Sequence, residues 1–473
     1  MLEWLKLINS ARRKDRGTKT QTHEPDNDEV RTEFERDFDR ILFSTPIRRL
    51  GDKTQVFPLD PNESVRTRLT HSHEVSNLAR SIGIKIAFKT NIVPAGLEPQ
   101  RNIPALLAAI GLSHDLGNPP FGHQGEETIR KWFEAQQKKS DIFGSEHKLS
   151  EAMKQDFLKF DGNAQTFRLV TRLQILNNDL GMNLTYGTLA ALMKYTVPSD
   201  KADKTSSNAS TKKHGYFQSE APIVHEVWKE TGLGDGLRHP LAYIMEGCDD
   251  IAYSVLDTED AVKKGLVSFS DVIAYLKHKC RTDVTTDKVV TKAEEKAKEY
   301  RSLPLSPAEL NDVSMQMFRV YAIGAMVKDL TDAFEANVGG ILDGSHKEGL
   351  IAKSRSVRLC ETLKEFSFKH AYKHRSVLKI ELEGHDVLTR LMDMFWRAIV
   401  DREDSKNVAS HRKTPFTRYA YSRISENYRR AFEAPSLMPI RYREAQLLTD
   451  MVSGMTDSFA ITMLDELKTH YDP

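Results

Sequence analysis

The sequence predicts a mainly α-helical fold with at most short β-hairpins, and two observations carry that expectation. Apolar residues recur at helical steps over long stretches, while the apolar–polar alternation a half-buried strand needs is brief wherever it occurs. In chain order, the first strand-like run is 55–59 (QVFPL). Residues 103–112 (IPALLAAIGL) form an apolar run with Pro104 at a helix start and Gly117 beyond its end. Residues 242–262 set Ile244, Ile251, Val255 and Val262 on one helix face, which predicts a buried helix. Residues 315–334 and 387–400 repeat that signal, and the charge-rich stretch 283–301 predicts an exposed helix. The second strand-like run is 377–382 (VLKIEL). Two stretches read as loops: 17–29, polar and without a period, and 199–215 (SDKADKTSSNASTKKHG). The latter has too little apolar surface to stay packed unaided. It is either a solvated loop or a flexible segment that closes over a ligand.

A chain of 473 residues can bury a large core in two or three structural regions. Its 68 Lys and Arg nearly cancel its 67 Asp and Glu, so net charge gives no argument for nucleic-acid or membrane binding. Any anionic ligand must be held by a local basic cluster. Cys248, Cys280 and Cys360 are odd in number and widely spaced. They form neither a disulfide framework nor a CxxC zinc site, the pattern of a cytoplasmic protein. The first residues, MLEWLKLINSARRKDRG, are too briefly apolar for a signal peptide, and no 18-residue apolar stretch predicts a transmembrane helix.

The most informative residues are His114 and Asp115 in LSHDLGNPPFGHQGEE. An imidazole nitrogen and a carboxylate oxygen at a helix end can lean toward one ion, but two ligands bind weakly. His71, in RTRLTHSHEV, and Asp249, in DDIAYSVLDTEDA, lie on amphipathic helical patterns able to pack against that helix. Mixed imidazole and carboxylate ligation suits Mn, Fe, Ni, Co or Mg better than a thiolate zinc site. Each residue alone has a plainer reading, His71 as a hydrogen-bonded core histidine and Asp249 as part of a solvated turn. Spacing by itself stops at a candidate metal site.

Taken together, RTRLTHSHEV, HDLGNPPFGHQGEE and DDIAYSVLDTEDA, in that order, resemble the bacterial deoxyguanosinetriphosphate triphosphohydrolases of the HD superfamily. IRRLGDKTQVFPL, LMKYT, KKHGYFQSE and GMTDSFA extend the likeness from about residue 31 to 465. The resemblance implies a polar N-terminal segment (1–30), an HD-domain catalytic core (31–280, with 199–215 as a flexible loop) and a C-terminal helical region (281–473) that completes the nucleotide pocket and oligomer contacts. It implies one divalent cation held by His71, His114, Asp115 and Asp249, with Mn2+ or Mg2+ first and Ni2+, Fe2+, Co2+ and Zn2+ left open.

The implied reaction releases a deoxynucleoside and intact triphosphate from dGTP or another dNTP. His123 and Glu126, at i and i+3 and so on one helical face, match the family's catalytic pair; apart from the resemblance they read as a helix-capping pair. Lys194, Tyr195 and Lys213 match phosphate contacts, with Arg66 and Arg68 as further candidates or surface charges. Gln55 and Asp257 match contacts to the 3′-OH. Tyr253, one turn from both Asp249 and Asp257, covers the sugar or is a core aromatic. Glu381 and Arg418 resemble positions near the guanine; both read otherwise as surface ion-pair residues, and Arg412 is an alternative to Arg418. The family also implies a homo-oligomer, a hexamer in some relatives, and single-stranded DNA as an effector. Alternatives are a broad-specificity dNTP triphosphohydrolase, a single-stranded nucleic-acid-binding or regulatory protein on the HD fold, and another HD hydrolysis.

Overall fold

The computed structural model describes residues 2–15, 29–57, 64–174 and 180–471. Helices dominate, and among the described residues the only β pairing is three isolated bridges, Arg12–Thr185, Thr54–Thr67 and Arg402–Arg412. The helices that matter for the site are α1 (Glu33–Leu42), α2 (Arg68–Lys89), α3 (Pro99–Ser113), α4 (Gly122–Ser140), α5 (Gly162–Arg168) and α6 (Tyr186–Leu192). They are followed by α7 (Pro240–Lys263), α8 (Val284–Tyr300), α9 (Pro307–Leu342), α10 (Val357–Ser367), α11 (Arg375–Val400), α12 (Pro415–Ser422), α13 (Ile440–Ser453) and α14 (Asp457–Lys468). No helix among the described residues is long and apolar enough to cross a membrane.

α2 starts at a capping box in which Thr67 and Thr70 satisfy each other's backbone donors. Its buried face then runs through His71, Val75, Ala79, Ile82 and Ile86. The predicted start of α3 is corrected by about a turn: Pro99 occupies its first position and Pro104 lies inside. Pro104 lacks the N–H that would bond the Gln100 carbonyl, and the helix continues through it. α2 and α3 touch at backbone distance. A Cβ on Gly111 would stand 2.8 Å from the Ser76 Cα, and the Ser76 hydroxyl donates to the Ala108 carbonyl at 2.8 Å. Only a glycine at 111 lets α2 come this close, and the approach sets His71 beside His114, which directly follows α3.

Apolar side chains collect in two main cores. The first gathers α1, α2, α3, α6, α7, α8, α9 and α10. The second joins α4 to α11, α12, α13 and α14 through Phe133, Phe395, Tyr442 and Leu464.

The strand expected at 377–382 is instead the first part of α11. Val377, Gly384, Leu388 and Leu391 are buried at helical spacing, and a six-residue apolar run cannot by itself separate the two periods. At 55–59 no strand forms among the described residues 55–57, beyond the single bridge of neighbouring Thr54; residues 58–59 lie outside them. The polar stretch 17–28 also lies outside. Residues 199–215, expected to be a solvated loop or a flexible segment that closes over a ligand, are tied down by backbone hydrogen bonds. Thr196 donates to Ser210, Asp203 to Thr211 and Gly215 to Val197, while Lys159 caps the Ser199 and Ala202 carbonyls. Backbone hydrogen bonds here do what apolar burial does elsewhere.

Candidate metal centre and nucleotide site

His71 from α2, His114 and Asp115 from the end of α3, and Asp249 from α7 converge. The rings of His71 and His114 lie 5.6 Å apart, and ligand atoms of His71, His114 and Asp115 fall within 4.8 Å of one another. Asp249 Oδ1 stands 3.3 Å from His71 Nε2 and 3.6 Å from His114 Nε2. His114 Nε2 is also 3.5 Å from Asp115 Oδ1. Two atoms bound about 2.1 Å from a common ion are separated by roughly 3.0–3.5 Å, so this spacing suits a shared cation.

Protonation and pairing agree with that reading. His114 Nδ1 donates to the Gly111 carbonyl at 2.7 Å, which leaves Nε2 to face the carboxylates; Nε2 is buried with no hydrogen-bond partner. Burial opposes charge on this imidazole, yet Asp115 and Asp249 push its pKa up to about 9. Burial likewise works to raise Asp115, but His114 and Arg68 bring it down to about 2. A buried pocket that draws a proton onto a histidine and keeps its carboxylates ionised is a seat for positive charge. The donor set therefore fits a divalent cation. The outer carboxylate oxygens are partnered elsewhere: Arg68 meets Asp115 Oδ2 at 2.5 Å, and Lys194 lies 3.3 Å from Asp249 Oδ2.

Beyond Asp115 the chain turns sharply into α4. Phe121 has φ 59° and ψ 20°, caps α4 without a side-chain hydrogen bond, and is followed by Gly122, also with φ 59°. His123 and Glu126 are thus past the cap, in the helix proper, and are not a capping pair. The His123 side chain is 81% exposed, with Nδ1 3.7 Å from Glu126 Oε2. Glu126 is buried and accepts the Gly162 N–H at 2.8 Å. Burial would raise its pKa, but His123, Lys213 and the Gly162 bond hold it well below the usual carboxylate range.

Basic and aromatic groups surround this pair. Lys213 contacts Asp161 at 2.8 Å, with its ammonium 6.0 Å from the Tyr195 ring. Arg66 does not face the site, because Glu74, Glu259 and Asp260 occupy its guanidinium. Along α7, Tyr253 stands 6.0 Å from Tyr372, whose hydroxyl donates to Asp257 Oδ2 at 2.7 Å. Asp257 Oδ1 and Gln55 Oε1 are buried and lack partners among the described residues. Burial pushes the Asp257 carboxyl well above its ordinary pKa.

The base-reading candidates are not brought together in the same way. Glu381 lies on α11, half-buried, its pKa raised by burial and by Glu127 of α4. Arg418 on α12 is exposed, and no ion pair joins it to Glu381 among the described residues. Arg412 is removed as an alternative. Its guanidinium stacks 3.3 Å from the Tyr421 ring and donates to the Ala398, Val408 and Ser410 carbonyls.

The structure adds residues to which sequence reasoning gave no role. Tyr372 sits between Tyr253 and Asp257. Lys364 pairs with Asp250 at 2.5 Å and lies 5.8 Å from the Tyr253 ring. Asp161 holds Lys213. No local pattern marks them; only their partners do.

Comparison with known proteins follows the same lines. Residues 68–183 match the HD domain, and residues 350–466 match the phosphohydrolase-associated domain. A deoxyguanosinetriphosphate triphosphohydrolase-like protein of Listeria monocytogenes is 34% identical over 98% of this chain and 99% of its own length. A protein of the same description from Listeria innocua is also 34% identical, with the same coverage. A deoxyguanosinetriphosphate triphosphohydrolase of Yersinia pestis is 33% identical over 92% of this chain and 93% of its own.

Proposed function

Because the chain belongs to the deoxyguanosinetriphosphate triphosphohydrolase family of HD-domain phosphohydrolases, we propose that it converts dGTP and water to deoxyguanosine and intact triphosphate. The observation that supports this most is the unpartnered Nε2 of His114, aimed at two carboxylates and a second imidazole. His71, His114, Asp115 and Asp249 hold one divalent cation, Mn2+ or Mg2+. When bound, the cation supplies Lewis-acid charge at the α-phosphate.

In this reaction the bond from the α-phosphorus to O5′ breaks, the water oxygen stays on the triphosphate, and O5′ needs a proton. An alkoxide leaves poorly without one. His123, exposed toward open space, delivers that proton. Glu126, held ionised, orients the ring and stabilises it while charged. Lys194, Lys213, Arg68 and the Tyr195 hydroxyl bind the phosphates, whose charge the cation only partly offsets. Gln55 and Asp257, each with an unpartnered buried oxygen, take the 3′-OH. Tyr253, braced by Tyr372, covers the sugar face that a ribose 2′-OH would need.

Tyr253→Ala is accordingly expected to narrow the preference for dGTP over GTP by about tenfold or more, since steric exclusion is what the ring provides. Comparison of kcat/KM for the two nucleotides measures this, and unchanged selectivity defeats the steric role.

Product identification tests the whole reading. The four dNTPs, each supplied with Mn2+ and with Mg2+, should yield tripolyphosphate and the deoxynucleoside, with dGTP turned over fastest. Pyrophosphate or orthophosphate as the product, or no turnover with either ion, rejects it. Broad dNTP use is the second reading. It is favoured by the exposed Arg418 and its lack of an ion pair with Glu381, which leave the guanine reader the least built part of the site. The complete ligand set and the His123–Glu126 pair argue against a non-catalytic nucleic-acid-binding protein. A homo-oligomer, a single-stranded DNA effector and a cytoplasmic location belong to the same proposal; the three cysteines, all unpaired and buried, suit a reducing compartment.

A further inference from the structure

The two halves of the site stand on different cores: the cation ligands on the first, His123 and Glu126 on the second. We propose that Asp457 is the positioning residue that joins them, holding the turn before α4 so that His123 points at the reacting phosphate; this rests on the catalytic role given to His123 above. Asp457 opens α14, is almost fully buried, and lies more than 300 residues from what it holds. Its Oδ1 accepts the Phe121 N–H at 3.0 Å. Its Oδ2 accepts the Thr54 N–H at 3.1 Å and meets the Thr54 hydroxyl in a short contact.

Both partners are strategic. Phe121 is a bulky residue in the left-handed region, a conformation that persists only where surroundings impose it. The turn has no side-chain cap of its own, so it must be held from outside. Asp457 holds its backbone, and Gly384 of α11 leaves room for its ring: a Cβ there would come within 2.6 Å of it. His123 follows two residues later with an 81% exposed side chain. Glu126 of the same helix is what that imidazole meets, so the direction of the pair as a whole comes from the backbone of the first turn of α4.

Thr54 ties the same carboxylate to the other half. It bridges Thr67, the cap of α2, while Lys53 accepts the Arg68 N–H at 3.1 Å. One buried carboxylate thus registers the start of the helix carrying His71 against the start of the helix carrying His123. It also fixes the residue next to Gln55.

The experiment is a double-mutant cycle between Asp457→Asn and His123→Ala, read by kcat, bound metal and melting temperature. A carboxamide keeps the shape but must turn an N–H toward one of its two partners. Asp457→Asn is expected to lower kcat by about 10²-fold, the effect of misplacing a reacting group by about 1 Å, with bound metal unchanged. In the His123→Ala background the same change should cost less than about threefold, because there is no imidazole left to aim. A lower melting temperature with kcat intact well below it overturns the proposal, as does an equal loss in both backgrounds. Full activity of His123→Ala alone removes the catalytic premise and this inference with it, a result distinct from either of those. Should Asp457→Asn fail to fold, Thr54→Val removes one of the three hydrogen bonds and must show the same dependence on His123, at smaller size.

Discussion

His114→Ala is expected to leave the protein without bound metal and to lower dGTP turnover by about 10³-fold or more, since Lewis-acid stabilisation of a phosphoryl transition state contributes several kcal/mol. The size of the effect follows from how the residue is built in. Its Nδ1 is committed to the Gly111 carbonyl, so Nε2 has one fixed direction, and in that direction lie His71, Asp115 and Asp249. Removing the ring takes away one of the four proposed ligands and also the spacer that keeps two carboxylates apart. The fold should tolerate the change, because the surrounding contact of α2 with α3 is made by Gly111, Ser76 and their apolar neighbours rather than by the imidazole. Metal content by elemental analysis, beside kcat with Mn2+ restored to excess, checks the prediction. A variant that keeps stoichiometric metal and full turnover separates His114 from the ligand set.

The same residue shows how far a sequence can be read here. The helices α3, α7 and α9 were legible because their apolar period is long, and a long period admits one interpretation. The first part of α11 was not. VLKIEL offers six residues without a turn signal; it continues into the later turns of α11 that pack in the second core, while Val377 itself packs in a small separate cluster with Phe57, Ala261 and Ala371. At the site, legibility tracks chemistry that is local in the chain. His114-Asp115 and the His123–Glu126 spacing are visible as patterns, and resemblance supplies His71 and Asp249. Tyr372 and Asp161 belong to no pattern, since each is defined by its partner, Asp257 for Tyr372 and Lys213 for Asp161, while Asp457 lies in GMTDSFA, where the likeness marks the segment but not the two distant turns its carboxylate holds. Charge by itself does not separate two neighbouring arginines. Arg66 and Arg68 are two residues apart, yet Arg66 is consumed by three carboxylates and Arg68 alone turns toward Asp115. Arg66 lies before the cap Thr67 and meets Glu259 and Asp260 of α7, whereas Arg68 is the first residue of α2 and its guanidinium reaches Asp115.

His123→Ala should reduce kcat by about 10²–10⁴-fold, the range that general acid–base catalysis supplies, while bound metal and KM for dGTP change little. Three features separate this outcome from that of His114→Ala. His123 is not among the convergent ligand atoms, so the cation site stays whole. Its ring is almost entirely exposed, so its loss leaves no cavity and the melting temperature should hold. Its partner Glu126 keeps the Gly162 N–H and lies 3.8 Å from Arg130, so the buried carboxylate is not stranded. The loss must then appear in the chemical step. A substrate whose 5′ leaving group needs no proton provides the decisive comparison: a dGTP analogue with sulfur in place of the bridging O5′, which leaves as a thiolate, should be cleaved by His123→Ala at nearly the parent rate if the imidazole serves only to protonate O5′. An equal loss on both substrates would instead assign His123 to the attacking water, and an undiminished rate on dGTP itself would take it out of catalysis.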